Sequence, residues 1–192
     1  PRSTPSNSSA ASDVYKRQDE PRVQGDVVTS YRRLSRGLVA GLRRLGCDVV
    51  QANLVEASPE PKSAACFDVP SHYEVTALGR KLVGSAQVRR RGVVLQHGAL
   101  PLCGDVGRLA NVLALSDSER AQVRSKLLGR AVALDEALGR RVPFEKVVTA
   151  LKEGFSAMLH LDFEPSELTE DERKAIHALV ERYAGSEWTY SR

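Results

Sequence analysis

The residues of this chain able to do chemistry crowd into one stretch, CFDVPSHYEVTALGRKLVGSAQVRRRGVVLQHG, residues 66–98. Cys66 precedes FDVPS, whose proline and serine keep it out of regular structure, so the thiol is expected on a loop that can reach a substrate. With a lowered pKa it would be a thiolate nucleophile; otherwise it is the small buried apolar group that free cysteines usually are. Lys81 opens a strand-like run that is interrupted at once by Gly84-Ser85-Ala86, and a glycine inside a strand often marks the close approach of a ligand or another backbone. A lysine there could hold a carbonyl or acyl-phosphate oxygen, or it could be an ordinary turn lysine. His97, followed by Gly98, could act as acid or base or be a satisfied structural residue, and His72 is close to Cys66 only along the chain. Arg89 to Arg91 could meet an acidic carrier protein or a phosphopantetheine arm, or simply form a solvated hairpin tip. No GxxxxGK[ST], HExxH, GxSxG or GxGxxG pattern is present.

These groups need elements to hold them. HYEVTAL, KLVGSAQVRR and GVVLQHGALPL read as three strands of a meander, with turns at residues 79–80 and 91–92. Ahead of them, Val27, Val28, Tyr31, Leu34, Leu38, Leu42 and Leu45 recur at three- and four-residue steps, an amphipathic helix closed by Gly46. A short strand, CDVVQANLV, follows it. After Gly104 the pattern turns helical: residues 105–115, residues 117–131 capped at Asp117 or Ser118, residues 142–161 with Pro143 in the first turn, and residues 168–185 capped by Thr169. The order predicts an α+β fold, an antiparallel or mixed sheet with flanking helices and a helical C-terminal third. The Ser- and Pro-rich start has no periodicity and resembles a translated adaptor tail, so residues 1–24 are expected to be a disordered, non-native leader. Residues 25–115 would then form the catalytic part and 116–192 the helical part.

Composition narrows the classes. The 192 residues are 42% hydrophobic and 27% charged, which suits a globular domain with a real core. Three cysteines without CxxC spacing write neither a disulfide framework nor a metal site, and predict free thiols. A net charge of +4 with 5% aromatic residues gives poor support for nucleic-acid binding. No apolar run approaches the roughly 18 residues of a membrane span, and no signal-peptide core is visible, so a cytoplasmic location is expected.

The stretch CFDVPSHYEV followed by GRKLVGSAQVRRRGVVLQHGALPL closely resembles the corresponding segment of the biotin/lipoate protein ligase superfamily, nearest to the lipoate-protein ligase A-like proteins and the cysteine-dependent octanoyltransferases. The similarity runs from about Asp26 to the C-terminus. It implies that Lys81 contacts the acyl carbonyl, or the acyl-adenylate in true ligases. Gly84, Ser85, Ala86, Gln87, His97 and Gly98 would belong to the substrate-binding wall, with Cys66 as the nucleophile of the octanoyltransferase branch. The implied donor is an acyl carrier protein or an octanoylated lipoyl-domain protein. The implied acceptor is the lipoyl domain of a glycine cleavage H protein or a dehydrogenase E2. A transferase of this kind needs no cofactor, whereas a ligase needs ATP and Mg. A third alternative is a non-catalytic module that binds carrier or lipoyl domains. Family members carry an RRxTGG-type segment upstream of the part matched here, which leads to the expectation that this chain is an N-terminally truncated fragment.

Overall fold

The computed structural model describes residues 3–6, 9–17, 20–51 and 74–190. Cys66 and His72 lie outside the described residues. The described chain divides into two compact units, residues 1–161 and 162–192, so the boundary falls well beyond the expected 115/116.

In the first unit the expected meander is present. Strands β4 (Val75–Ala77), β5 (Arg80–Arg90) and β6 (Val93–Pro101) are successive antiparallel neighbours. Both hairpins have two-residue turns with positive φ at each position, Leu78 (51°) with Gly79 (69°) and Arg91 (51°) with Gly92 (75°). That conformation matches the right-handed twist of the flanking strands, and glycine takes it without steric cost. The first turn therefore sits at residues 78–79, one residue earlier than expected. β3 (Val49–Gln51) extends the sheet beyond β4.

The other edge corrects the reading of the N-terminal segment. Residues 3–6 and 9–17 form strands β1 and β2, and β2 pairs with β6 from Ser9 opposite Pro101 to Arg17 opposite Val93. The sheet order is β1-β2-β6-β5-β4-β3, every neighbouring pair antiparallel. Strand pairing uses main-chain N–H and C=O groups, which a Ser- and Ala-rich segment carries as well as an apolar one. A hydrophobic pattern could not reveal it. Val23, also inside the supposed leader, is fully buried against Leu34, Val94 and Leu159.

Helix α1 (Val27–Arg44) starts where Asp26 accepts a hydrogen bond from the Thr29 N–H at 2.6 Å, and ends before Gly46 at φ +86°. Its buried face carries Tyr31, Leu34, Ser35, Val39 and Leu42, while Val27 and Val28 are exposed. A 3₁₀ segment (Val106–Val112) replaces the expected helix there. Helix α2 (Asp117–Arg130) is capped by Ser116 in a reciprocal capping box with Glu119. Two short helices escaped the periodicity argument: α3 (Leu134–Leu138), and α6 (Ser186–Thr189) in the second unit. Pro143 is the N-cap of α4 (Phe144–Leu159). In the second unit α5 (Glu170–Ala184) is capped by Thr169 as expected. The main core joins Val39 and Leu42 of α1, Val49, Val75, Ala77, Leu82, Val83 and Leu100 of the sheet, and Val132, Leu134 and Val147 from the helical part.

Helices α1 and α4 cross at backbone contact. A Cβ on Gly41 would stand 2.7 Å from the Ala150 carbonyl oxygen and from Leu151 Cα, and one on Gly154 would stand 2.7 Å from Gly41 Cα. Backbone cannot swing aside as a flexible side chain can, so a methyl at either place forces the helices apart. Gly154→Ala should cost roughly 1–3 kcal/mol, read as a lower urea midpoint at unchanged m-value. Gly129→Ala, on exposed α2 with nothing near its Cβ, should stabilise by up to about 1 kcal/mol.

Three exposed carboxylates are held below their ordinary range by the folded chain. The Thr29 backbone N–H holds Asp26 below the usual carboxylate range, the Arg124 guanidinium does so for Asp105 with the Gly107 N–H adding to it, and the Ser116 hydroxyl does so for Glu119. A depressed folded pKa contributes stability above the unfolded value that is lost as pH falls through the folded one. Urea midpoints should therefore fall between about pH 5 and pH 3, and Asp105→Asn should flatten that fall.

Candidate functional site

Lys81 is charged, in a central strand, and only 7% exposed. The sheet does not bury it by regular alternation. Val75 pairs with Val83 and Thr76 with Lys81, so one extra residue, Leu82, is accommodated in β5 at an irregularity opposite Val75/Thr76. Lys81, Leu82 and Val83 are consequently buried in succession, a pattern that a straight strand packed on one face would not produce. The Lys81 carbonyl accepts the Val132 N–H at 3.0 Å, where the segment after α2 runs beside β5 as a parallel bridge at Ala131. The lysine backbone is thus pinned from both edges.

The charge is met by Glu74, the residue leading into β4. Lys81 Nζ lies 2.5 Å from Glu74 Oε1, with side-chain exposures of 7% and 8%. Removing one member of such a buried pair typically costs about 3–5 kcal/mol, because the other charge is stranded out of water. Glu74 stands in the segment quoted from the sequence, yet alternation with Val75 gave no sign that it faces the lysine.

From Gly84 onward β5 pairs with β6 in regular register, Gly84 with Ala99, Ser85 with Gly98, Ala86 with His97 and Gln87 with Gln96. Directly opposed residues share a face, so Ser85, Gln87 and Gly98 lie on one side of the sheet, and Ala86 and His97 on the other, where both are exposed. The expected wall residues are therefore not brought together as one surface. On the Ser85 side, a Cβ at position 98 would lie 3.3 Å from Ser85 Oγ, so Gly98 makes room for that hydroxyl. Tyr31 of α1 faces the same region. Burial pushes its hydroxyl pKa up, the neighbouring Ser85 and Ser35 hydroxyls act against that rise, and the Glu74 carboxylate adds to it. These contacts are looser than hydrogen bonds: among the described residues, Ser35 Oγ and Ser85 Oγ are buried without a hydrogen-bond partner. In the sequence Tyr31 shows only as a member of the apolar helix face.

Gln87 has a structural occupation. Its Nε2 donates to Gln96 Oε1 at 2.9 Å, and its Oε1 accepts from Ser30 Oγ and from Arg89 Nε, each at 3.1 Å. Arg89 also donates to Ser30 Oγ at 2.7 Å and to the Val23 carbonyl at 2.9 Å. Of the three arginines, Arg89 thus ties the first turn of α1 to the sheet, and Arg90 and Arg91 are left exposed at the hairpin tip. Cys47 is in the main core, and burial raises its thiol pKa, which makes it an inert thiol rather than a nucleophile. His160 caps α4 in a left-handed conformation and His177 is exposed on α5. Among the described residues no three His, Cys, Asp or Glu side chains gather as metal ligands.

An ammonium next to a carboxylate and screened from solvent is suited to hold an oxygen that gains negative charge. Residues 14–156 match the family model described as the lipoyl protein ligase A/B catalytic domain. The chain is 45% identical over 182 residues to octanoyltransferase LipM of Kyrpidia tusciae, covering 92% of this chain and 66% of that protein. It is 37% identical over 186 residues to octanoyltransferase LipM of Bacillus subtilis, covering 93% and 67%. Its fold is similar to that of a bi-partite lipoate protein ligase from Thermoplasma acidophilum, with a TM-score of 0.72, 24% identity and coverage of 95% of this chain and 64% of that one. It is also similar to lipoate-protein ligase A bound with ATP, with a TM-score of 0.69, 25% identity and coverage of 94% and 64%. The chain spans about two thirds of the length of the curated relatives it matches. With a strand-borne buried lysine in a sheet and a family match that covers residues 14–156, most of its length, the chain belongs to the lipoyl protein ligase A/B catalytic family.

Proposed function

We propose that the protein carrying this chain transfers an octanoyl group to a specific lysine of a lipoyl domain by way of a thioester on Cys66. The observation that carries the reading is the Lys81 ammonium, buried on β5 beside the Glu74 carboxylate. The names of the most similar relatives, octanoyltransferases, favour octanoyl transfer over ligation.

In the first step the Cys66 thiolate adds to the thioester carbonyl of an octanoylated acyl carrier protein. The oxygen gains negative charge opposite Lys81, the tetrahedral adduct collapses, and the donor leaves as a thiolate that takes up a proton from solvent. In the second step the neutral ε-amine of the acceptor lysine, on a glycine cleavage H protein or a dehydrogenase E2, adds to the acyl-Cys66 carbonyl. The adduct again faces Lys81, the nitrogen releases its proton to solvent, and the Cys66 thiolate departs as the amide forms. One thioester replaces another and an amide then replaces that thioester, so the sequence runs without a nucleotide. Ser85 and Gly98 are the members of the expected wall that we retain beside the acyl chain; Gly84, Ala86 and His97 belong to the other face and Gln87 is committed to its network.

On incubation of the full-length protein with octanoyl carrier protein, intact-mass measurement should show the gain of one octanoyl group, absent in Cys66→Ser. Lys81→Met should slow acyl transfer by about 10²–10³-fold in kcat, the usual effect of losing one oxyanion-stabilising group. Turnover that demands ATP and free lipoate, and that survives Cys66→Ser, would establish the ligase reaction instead.

A further inference from the structure

We propose that Glu74 is a positioning residue for acyl transfer, its carboxylate fixing where the Lys81 ammonium points; this rests on the acyl-transfer reading of Lys81.

A lysine side chain is a flexible four-carbon stem with rotatable donors, and pinning its backbone does not aim its end. The backbone of Lys81 is held by β4 on one edge and by Val132 on the other. Among the described residues the ammonium is directed by the 2.5 Å contact with Glu74 Oε1. Glu74 is itself well placed to direct it. It leads straight into β4, on the same hairpin as Lys81, and the two-residue turn at Leu78–Gly79 fixes the distance between their backbones. Neither side chain is a solvated surface group: Glu74 is 6% exposed and Lys81 7%.

Stability alone accounts poorly for the pair, since a buried ion pair commonly adds nothing over apolar residues of similar volume. An ammonium has three N–H donors, so the bond to Glu74 is compatible with a second bond to an acyl oxygen. The Glu74 carboxylate also acts electrostatically on the Tyr31 hydroxyl, which neighbours Ser85.

The test is a double-mutant cycle in the full-length protein with octanoyl carrier protein, comparing wild type, Glu74→Gln, Lys81→Met and the double variant. Rates are normalised to the folded fraction of each, read from urea unfolding. Glu74→Gln should lower kcat roughly a hundredfold with KM within about twofold, the scale of a misplaced catalytic group. In the Lys81→Met background the same substitution should change kcat less than about twofold, because nothing remains to be aimed. Glu74→Asp, which keeps the charge but falls one methylene short, should lie between the two, and serves if Glu74→Gln folds poorly. If Glu74→Gln loses only folded fraction while its normalised kcat matches wild type, or if the two losses multiply, the positioning role is overturned. An unchanged rate in Lys81→Met would instead remove the acyl-transfer reading of Lys81, and this inference with it.

Discussion

Keeping a lysine charge out of water is the constraint that the described structure organises around. An ammonium in a sheet interior needs a counter-charge, a fixed backbone and a reason for its side chain to turn inward. Each comes from a different element. Glu74 ahead of β4 supplies the carboxylate, the segment after α2 supplies a hydrogen-bonded edge, and the irregular pairing of β4 with β5 turns the residue inward. The apolar residues that follow, Leu82 and Val83, anchor the same stretch in the main core. Packing and chemistry therefore share residues at this point.

The helix pair sets the other half of the geometry. Gly37, Gly41 and Gly154 let α1 and α4 approach at backbone distance, and α1 in turn carries Tyr31 and Ser35 to the sheet. Its first turn is tied down separately by the Ser30, Gln87, Gln96 and Arg89 network. One end of α1 is located by polar contacts and the rest by close packing, so the hydroxyls it presents to β5 are placed by two unrelated kinds of force.

Much of this was legible in the sequence because the signals were local. Glycine at each hairpin, a three- and four-residue apolar step from Tyr31 to Leu42, and Thr169 ahead of three acids are readable within one element. What was not legible depended on partners distant along the chain. β2 forms because β6 offers it a hydrogen-bonding edge, not because its own residues are strand-like. The cap at Ser116 rather than Asp117 or Ser118 depends on which side chain meets Glu119. Treating Gly84, Ser85, Ala86, Gln87, His97 and Gly98 as one wall overlooked the two-residue period of a strand, which sends Ala86 and His97 to the opposite face. Glu74 and Tyr31 were passed over because a strand-entry acid and a helix tyrosine have ordinary explanations until the distances are known.

The extra residue at Leu82 has an implication for how this region can vary. Because Lys81 is turned inward by the number of backbone units between the Leu78–Gly79 turn and the start of regular pairing with β6, its address is a matter of chain length rather than of neighbouring side-chain identity. Conservative exchanges of Leu82 or Val83 would leave that address intact. Deleting a single residue there would restore strict alternation and rotate every following side chain of the strand relative to the lysine, so the segment is tolerant of spelling and intolerant of spacing.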